Sequence, residues 1–302
     1  MHLLICNDDG IHSPGLAALA EEAQRFGDVR VVAPDGERSS AGHAISSSLP
    51  LRCTAGPPVG GRPAFRVNGT PADAVTLGLH LWPETTVVLS GLNLGLNLGP
   101  ATWHSGTLAA ARQAALVGVR GIALSIPATR ESDFTALLPW VRATLTTLLA
   151  PAVRLPLVNV NFPREPRGVM WTRASIGGYD GRIVTGVDGG NRDIYWYEVQ
   201  PMASVDDQSD RWAVEQRWVS MTPVSIDVTD EAALETLRRT HPLDTVRAAQ
   251  ESPRVSSTVE AEMVRLDETH TPGLDPLSPS ATPPDQASTS PGDAVRERDT
   301  RG

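Results

Sequence analysis

Short apolar runs alternate with amphipathic segments along the first half of the chain. Such runs are typical of buried strands in a parallel sheet, and apolar positions three or four residues apart are typical of helices that cover it. Thr70, Pro71 and Asp73 suit an N-cap, a first helical position and a capping box, and therefore predict another helix start. Predicted strands are 3–6, 29–33, 64–67, 85–89, 121–125 and 157–162, and the other predicted helices are 15–26, 106–117 and 134–149. This alternation predicts an α/β fold with a Rossmann-like, mostly parallel, doubly wound sheet.

The pattern changes in the second half of the chain. Between residues 167 and 224 the helical signal fades, and glycine-rich turns with the aromatic run 195–197 indicate extended structure or hairpins. Residues 231–239 are compatible with a short helix. From residue 251 onward Pro, Ser, Thr, Asp and Glu dominate, a composition typical of disorder. We therefore predict one domain, 1–250, with a core (1–165) and a smaller, partly extended region (166–250), followed by a disordered tail (251–302).

Composition and charge narrow the classes of function. The chain has 302 residues, of which 40% are hydrophobic, which is enough for a sizeable core. A net charge of −9 argues against binding to a nucleic-acid polymer. No apolar run approaches the ~18 residues of a membrane span, and no basic segment precedes the first apolar run. We therefore expect no signal peptide, no membrane association and a cytoplasmic location.

The chain contains no lysine, so every strongly basic side chain is an arginine. This excludes the phosphate-binding P-loop, Schiff-base chemistry and the kinase lysine–glutamate pair. Its two cysteines, Cys6 and Cys53, are too few for a disulfide framework or a thiolate metal site. Any phosphate group must therefore be bound by Arg, backbone N–H groups, hydroxyls, amides or a metal ion.

Polar residues come directly after several of the predicted strands. In open α/β sheets the ligand lies outside the carboxyl ends of the strands, so these residues are expected along one edge. Mg²⁺ and Mn²⁺ prefer oxygen ligands, and a pair of adjacent aspartates would suit them. The alternative is a loop whose carboxylates cap the helix that begins near Pro14. The polar residues concerned are Asp8, Asp9, Ser39, Ser40, His43, Asn93 and Asn97.

The segment Ser105-Gly106-Thr107 opens the helix 106–117 and resembles an anion site. The first N–H groups of a helix lack partners within the helix, and the helix dipole favours a negative charge there. The alternative is ordinary N-capping by Ser105 or Thr107. The Asn- and Gly-rich stretch 90–99 has a comparable alternative, because these residues also favour turns that bind nothing. His104, beside the candidate anion site, is the histidine whose position favours a catalytic role.

Taken together, these segments resemble the SurE (stationary-phase survival protein) family of metal-dependent nucleotidases. The resemblance covers about residues 1–230, in the order that the family has. Each motif alone is weakly specific, but the ordered combination is highly specific. The matching segments are Asn7-Asp8-Asp9-Gly10-Ile11, Val31-Val32-Ala33-Pro34-Asp35 with Glu37-Arg38-Ser39, Gly69-Thr70-Pro71-Ala72-Asp73, Ser90-Gly91-Leu92-Asn93 with Gly95 and Asn97, Ser105-Gly106-Thr107, Asn159-Val160-Asn161-Phe162-Pro163 and Trp218-Val219-Ser220-Met221-Thr222-Pro223.

The resemblance implies hydrolysis of nucleoside 5′- or 3′-monophosphates, with polyphosphate as a further substrate of some members. It implies one divalent cation per subunit, Mg²⁺ or Mn²⁺, and a C-terminal region that joins subunits into homodimers or homotetramers. The implied metal ligands are Asp8, Asp9, Ser39 and Asn93, and the implied phosphate-binding residues are Asn97, Ser105, Gly106 and Thr107. Motif matching alone selects Ser39 over the adjacent Ser40.

The leading hypothesis is therefore a divalent-metal-dependent phosphomonoesterase that acts on nucleoside monophosphates. The candidate catalytic residues are Asp8, Asp9, Asn97 and His104. Asp8 or Asp9 would orient the attacking water, direct attack by Asp8 is an alternative, and His104 would protonate the leaving oxygen. Two other classes compete with this hypothesis: a nucleotide-binding regulatory module without hydrolysis, and a metal-dependent glycosyltransferase.

Overall fold

A computed structural model describes residues 1–176, 181–199 and 206–241 of the chain. Eleven strands form one large sheet and one hairpin within these ranges. They are β1 (His2–Cys6), β2 (Asp28–Pro34), β3 (Cys53–Ala55), β4 (Ala64–Val67), β5 (Val87–Leu94), β6 (Arg120–Ile126), β7 (Leu157–Asn161), β8 (Gly168–Trp171), β9 (Gly181–Val187), β10 (Asp193–Val199) and β11 (Trp218–Pro223).

Six α-helices and two short 3₁₀ helices connect these strands in the described part of the chain. The α-helices are α1 (Pro14–Ala23), α2 (Pro71–Leu81), α3 (Gly106–Leu116), α4 (Leu138–Leu148), α5 (Asp210–Glu215) and α6 (Glu231–Thr240), and the 3₁₀ helices are Gly99–Trp103 and Thr135–Leu137. At α2 the Thr70 hydroxyl accepts from the Asp73 N–H (3.1 Å), and the Asp73 carboxylate accepts from the Thr70 N–H (2.8 Å). The capping box expected from the sequence is confirmed.

The large sheet has the strand order β3-β4-β2-β1-β5-β6-β7-β11-β8. The six strands from β4 to β7 are parallel, whereas β3 and β11 run antiparallel to their neighbours β4 and β7. The chain starts in the middle, moves outward to β4, and then crosses back to continue with β5 on the other side of β1. The mostly parallel, doubly wound fold is confirmed, and its topological switch point lies between β1 and β5.

Helices on both faces of the sheet explain why its strands are apolar without interruption. Leu3 and Ile5 pack into one core, on the face covered by α1 and α4. Leu4 and Cys6 pack into another, on the face covered by α2 and α3. Successive side chains of a strand point to opposite faces, so a strand covered on both sides needs apolar residues at every position.

Three elements differ from the sequence-based expectation. Strand β5 continues to Leu94, into residues expected to be loop, and β3 is an unexpected edge strand. Helix α5 lies in the region expected to be extended, capped by the Ser209 hydroxyl, which accepts from the Trp212 N–H. Elements of three to six residues contain too few positions for a periodic pattern, and β3 depends on pairing with β4.

By its internal contacts the chain divides into two units, residues 1–231 and 232–302. The described residues of the second unit, 232–241, belong to α6 and the residue after it. The predicted tail, 251–302, lies outside the described residues. Among the helices that are described, none has the length and apolar content needed to cross a membrane.

Candidate active site

A polar cavity of about 240 Å³ opens at the carboxyl ends of β1 and β5, at the switch point of the sheet. It brings together residues that the sequence places up to 97 positions apart. Its lining is Asp8, Asp9, Glu37, Ser39, Ser40, Asn93, Leu94, Asn97, Ala101, His104 and Ser105. Three of the candidate site residues do not line this cavity. Gly106 and Thr107 lie behind Asp8, and the ring of His43 is hydrogen-bonded to the Gln113 side chain at 2.9 Å.

Asp8 is buried against the first turn of α3. Its Oδ1 accepts from the Thr107 hydroxyl at 2.6 Å. A Cβ atom at position 106 would lie 2.8 Å from the Asp8 Cβ, so only glycine permits this approach. The positive end of the helix dipole therefore lies against the Asp8 carboxylate itself.

Burial raises the pKa of the Asp8 carboxyl to about 6. The Thr107 hydrogen bond lowers it, and the negative charge of Asp9 raises it further. Among the described residues no arginine forms an ion pair with Asp8. A carboxylate with these surroundings lacks a compensating positive charge and is suited to receive a cation.

Asp9 is held from two directions. Its Oδ2 accepts from the Leu94 N–H at 3.2 Å, which connects β1 to the end of β5. Its carbonyl oxygen accepts from the guanidinium of Arg130 at 2.9 Å. Burial raises the pKa of Asp9, while the Leu94 N–H and the charge of Arg130 lower it. The two aspartates thus belong to one negatively charged wall of the cavity.

The loop after β2 closes over the aspartates. The Arg38 N–H donates to the Asp8 carbonyl at 2.7 Å, which fixes the loop to the end of β1. The Ser39 hydroxyl donates to Glu37 at 2.6 Å, which leaves the lone pairs of its oxygen for another partner. Ser40 also lines the cavity, so the choice between the two hydroxyls stays open.

Asn93, near the end of β5, and Asn97, in the loop after it, differ in their surroundings. Asn93 donates from Nδ2 to the Gly95 carbonyl at 2.6 Å, so its Oδ1 is the atom left for a ligand. Asn97 donates from Nδ2 to the Ser125 hydroxyl at 2.9 Å. These amide orientations follow from the hydrogen-bond network. Asn93 is therefore suited to bind a cation through Oδ1, whereas the side chain of Asn97 is held by Ser125.

At the start of α3 the structure shows N-capping by Ser105, which the sequence analysis gave as the alternative to an anion site. The Ser105 hydroxyl accepts from the Leu108 N–H at 3.0 Å, and Ser105 also lines the cavity. His104 is exposed at the cavity wall, and its carbonyl accepts from the Gly42 N–H at 3.1 Å. Gly106 and Thr107 contact Asp8, so the phosphate contacts implied for them stay a prediction.

The donor set suits a hard divalent cation. Asp8, Asp9, Ser39 and Asn93 offer oxygen ligands, and the Ser39 hydroxyl and the Asn93 Nδ2 group each donate to a protein acceptor. Oxygen ligands of this kind are preferred by Mg²⁺ and Mn²⁺. The described residues contain no cluster of three or more His, Cys, Asp or Glu side chains arranged to hold a metal. A cation here would depend on the neutral oxygens as much as on the two carboxylates.

A larger cavity, of about 530 Å³, lies at the opposite edge of the sheet. It is bounded by the first residues of β5 and β6 and by the segment before β7, and its lining is mostly apolar. Ligands of open α/β sheets bind at the carboxyl ends of the strands. We therefore assign the chemistry to the smaller, polar cavity.

Several residues around the site carry no role in the sequence-based prediction. They are Glu37, Ser125, Asn159, Asn161 and Asp210. One signal was present: two asparagines at alternate positions of a buried strand point to the same face and need partners. The hydrogen bond of Asp210 to the Gly99 N–H (2.8 Å) spans 111 residues and has no local signal.

Comparison with known proteins identifies the family of the chain. The family model described as "Survival protein SurE" matches residues 3–180. The chain belongs to the SurE family. A protein of Thermus thermophilus named 5′-nucleotidase SurE 1 is 42% identical over 245 residues, which cover 78% of this chain and 96% of that protein. The family resemblance expected from the sequence motifs is thereby confirmed.

Other SurE proteins are similar over the same part of the chain. The 5′-nucleotidase SurE of Deinococcus radiodurans is 41% identical over 238 residues, covering 75% of this chain and 88% of the relative. The crystal structure of the SurE protein of Aquifex aeolicus matches with a TM-score of 0.68 and 30% identity, covering 79% of this chain and 99% of that one. The confirmed fold is therefore the fold of the family.

Proposed function

We propose that this protein is a 5′-nucleotidase, a phosphoric monoester hydrolase that converts nucleoside 5′-monophosphates to nucleoside and phosphate. The main evidence is the polar cavity at the switch point, where buried Asp8 contacts the start of α3 and half-buried Asp9 contacts the end of β5. Relatives named 5′-nucleotidase, 38–42% identical to the chain, support the substrate class. The proposal extends to 3′-monophosphates and short polyphosphate as further substrates.

The proposed site holds one divalent cation per subunit, Mg²⁺ or Mn²⁺, with Asp8, Asp9, Ser39 and Asn93 as its ligands. The available oxygen atoms of this set, and the burial of Asp8 without an ion pair among the described residues, support this assignment. When bound, such a cation supplies Lewis-acid chemistry at the phosphoryl group. The site thereby needs no lysine, in agreement with the composition.

The remaining residues bind the substrate and handle protons. Ser105 and Asn97 bind the phosphoryl oxygens, and the start of α3 adds a favourable electrostatic field. Water attacks phosphorus while the bond to the ester oxygen breaks, with Asp8 or Asp9 orienting the water. His104, exposed at the cavity wall, donates a proton to the leaving oxygen.

The hairpin β9–β10 supports a homo-oligomer. It is a two-stranded sheet on its own, and such hairpins are marginally stable unless they pack against something. Ile183, Val187, Tyr195, Trp196 and Tyr197 are each 56–65% exposed on it. We propose that a second copy of the chain covers this surface in a homodimer or homotetramer. The cytoplasmic location stays a prediction.

The test is phosphate release from 5′- and 3′-nucleoside monophosphates and tripolyphosphate by metal-stripped protein, with Mn²⁺, Mg²⁺ or no cation added back. We expect release that depends on the cation and is greatest with 5′-monophosphates. Asp8→Asn should abolish it while the circular dichroism spectrum stays that of the parent. Nucleotide binding without release, by folded protein and with either cation, would instead identify a regulatory module.

A further inference from the structure

The segment 95–99 carries Asn97 over the cavity and has little regular structure of its own. It begins at Gly95 (φ +145°) and ends at Gly99 (φ +51°), conformations that other residues rarely adopt. The Gly95 N–H donates to the Ile126 carbonyl, which fixes the start of the segment. The Gly99 N–H at its end donates to Asp210. Between these two fixed glycines, the position of Asn97 depends on the contacts made by Asn97 itself.

Two buried side chains of β7 supply those contacts. Asn161 Oδ1 accepts from the Asn97 N–H at 2.8 Å, and Asn161 Nδ2 donates to the Asn97 carbonyl at 3.0 Å. Asn159 Nδ2 donates to the same carbonyl at 2.8 Å. Both polar groups of the Asn97 backbone are therefore satisfied by side chains that lie more than 60 positions away along the chain.

A side-chain amide makes both contacts of Asn161 from two separate atoms, since its oxygen accepts and its nitrogen donates. A carboxylate could accept from the Asn97 N–H, but its oxygen would repel the Asn97 carbonyl oxygen. An aliphatic side chain could neither donate nor accept a hydrogen bond. Ser125 of β6, paired in register with Asn161, accepts from the Asn97 side chain. The backbone and the side chain of Asn97 are thus held by two adjacent strands.

This arrangement is costly for the core. Asn159 and Asn161 are 1% and 0% exposed in a strand whose other residues are apolar. The Oδ1 of Asn159 has no hydrogen-bond partner among the described residues. A buried amide without full pairing destabilises a fold, and an apolar residue would serve the core better. The benefit of these two asparagines is that they hold the backbone of Asn97.

We infer that Asn161, assisted by Asn159, is a positioning residue that places Asn97 for the phosphoryl group. The role of Asn97 in binding the phosphoryl group rests on the proposed function. That Asn161 holds the Asn97 backbone rests on the hydrogen bonds described above. Without Asn161 the Asn97 backbone keeps a single partner, Asn159, and the segment between the two glycines gains freedom. Asn97 then spends less time in the geometry that binds the substrate.

The first experiment measures hydrogen exchange of the amides in peptides spanning 95–99. Asn161→Ala is compared with Asn68→Ala as the matched control. Asn68 also holds a loop backbone through both amide atoms, accepting from the Arg52 N–H and donating to the Pro50 carbonyl, and it does not line the cavity. We expect faster exchange in 95–99 for Asn161→Ala alone. Unchanged exchange there would overturn the inference, whether or not the protein is a nucleotidase.

The second experiment is a double-mutant cycle on kcat/KM for phosphate release, with Asn161→Ala and Asn161→Asp in the parent and in Asn97→Ala. We expect each Asn161 change to lower kcat/KM about tenfold or more in the parent, as residues that orient a catalytic group do. In the Asn97→Ala background the loss should be less than about twofold, because the residue being positioned is gone.

Two outcomes and one folding control separate the possibilities. Equal losses in both backgrounds would mean that Asn161 acts on the fold at large, and the inference would be wrong. Thermal unfolding of each variant shows whether that variant folds. If the buried carboxylate of Asn161→Asp prevents folding, Asn161→Ala still tests the inference. A parent that releases no phosphate would refute the proposed function, while the exchange measurement would still decide whether Asn161 holds the loop.

Discussion

The burial of Asp8 is unfavourable for folding but suits the binding of a cation. It is buried to 6% exposure, it has a neighbouring carboxylate, and its compensation consists of hydrogen bonds and a helix start rather than an ion pair. Its pKa is raised to about 6 because burial disfavours the ionised form. The same environment makes Asp8 an unfavourable anion in the metal-free chain and an effective ligand for a cation.

The pH dependence of stability follows from this raised pKa. The folded chain binds the Asp8 proton more tightly than the unfolded chain, so the contribution of Asp8 to stability is full below about pH 4. It is lost as pH rises through about 6. We predict that metal-free parent loses about 3 kcal/mol relative to Asp8→Asn between pH 4 and pH 7, from about 1.4 kcal/mol per pKa unit.

Urea unfolding of both proteins in the presence of a chelator measures this difference. The other titrating groups, apart from Asp9, whose charge interacts with that of Asp8, are common to the two proteins and cancel in the comparison. Parallel stability curves for parent and variant would show that Asp8 is not perturbed as described. Adding Mn²⁺ should stabilise the parent and leave Asp8→Asn little changed, because a ligand that binds only the folded state raises its stability.

At the scale of the element, the start of α3 against the end of β1 forms the site. Ser105 caps the helix, Thr107 donates to Asp8, and Gly106 leaves the space that Asp8 fills. The sequence marked this helix start as an anion site. The structure places a carboxylate of the same chain at it, because the fold brings β1 and α3 together across 99 residues.

Gly106→Ala is the sharpest test of this packing. The added methyl group would lie 2.8 Å from the Asp8 Cβ, so Asp8 or α3 must shift. We predict a loss of about 1–3 kcal/mol in the free energy of unfolding, typical of overpacking, and a marked loss of phosphate release. Gly189→Ala is the control, since a Cβ there meets no atom within 4 Å. Equal behaviour of the two variants in denaturation and activity would contradict the close approach.

For the whole molecule, the doubly wound topology decides where the chemistry lies. The strand order reverses between the parallel strands β1 and β5, so the connections that follow them leave in opposite directions, and a crevice lies between these connections. The loops after β1, β2 and β5 meet there with α3. The β9–β10 hairpin contributes no residue to the cavity lining and instead carries an exposed apolar surface.

Association through the hairpin is a prediction for the whole molecule. Replacing Ile183 and Tyr195 together by Ser removes exposed apolar area from one face of the hairpin. We predict that the dissociation constant of the oligomer rises at least about tenfold, equivalent to about 1.4 kcal/mol. Val228→Ser, at a position 82% exposed outside the hairpin, is the control. Sedimentation of the three proteins should show dissociation for the double variant alone, and an unchanged oligomer would exclude the hairpin as the interface.

Local chemistry explains which parts were predictable from the sequence. Apolar runs identified the central strands, since a strand buried on both faces must be apolar throughout. Thr70 and Asp73 identified the start of α2 because their contacts span three residues. Family motifs indicated Asp8, Asp9, Ser39 and Asn93, and the structure brings all four to one cavity.

The sequence by itself determined the elements, the α/β class and the polar residues at the strand ends, because each depends on contacts within a few residues. Only the tertiary structure decided what holds those residues. Asn161 reaches Asn97 across 64 positions, and Thr107 reaches Asp8 across 99. Edge strand β3 and helix α5 likewise depend on distant partners, β4 and the 3₁₀ helix at Gly99. Contacts of this kind form only when the sheet assembles, so no local pattern predicts which residues they join.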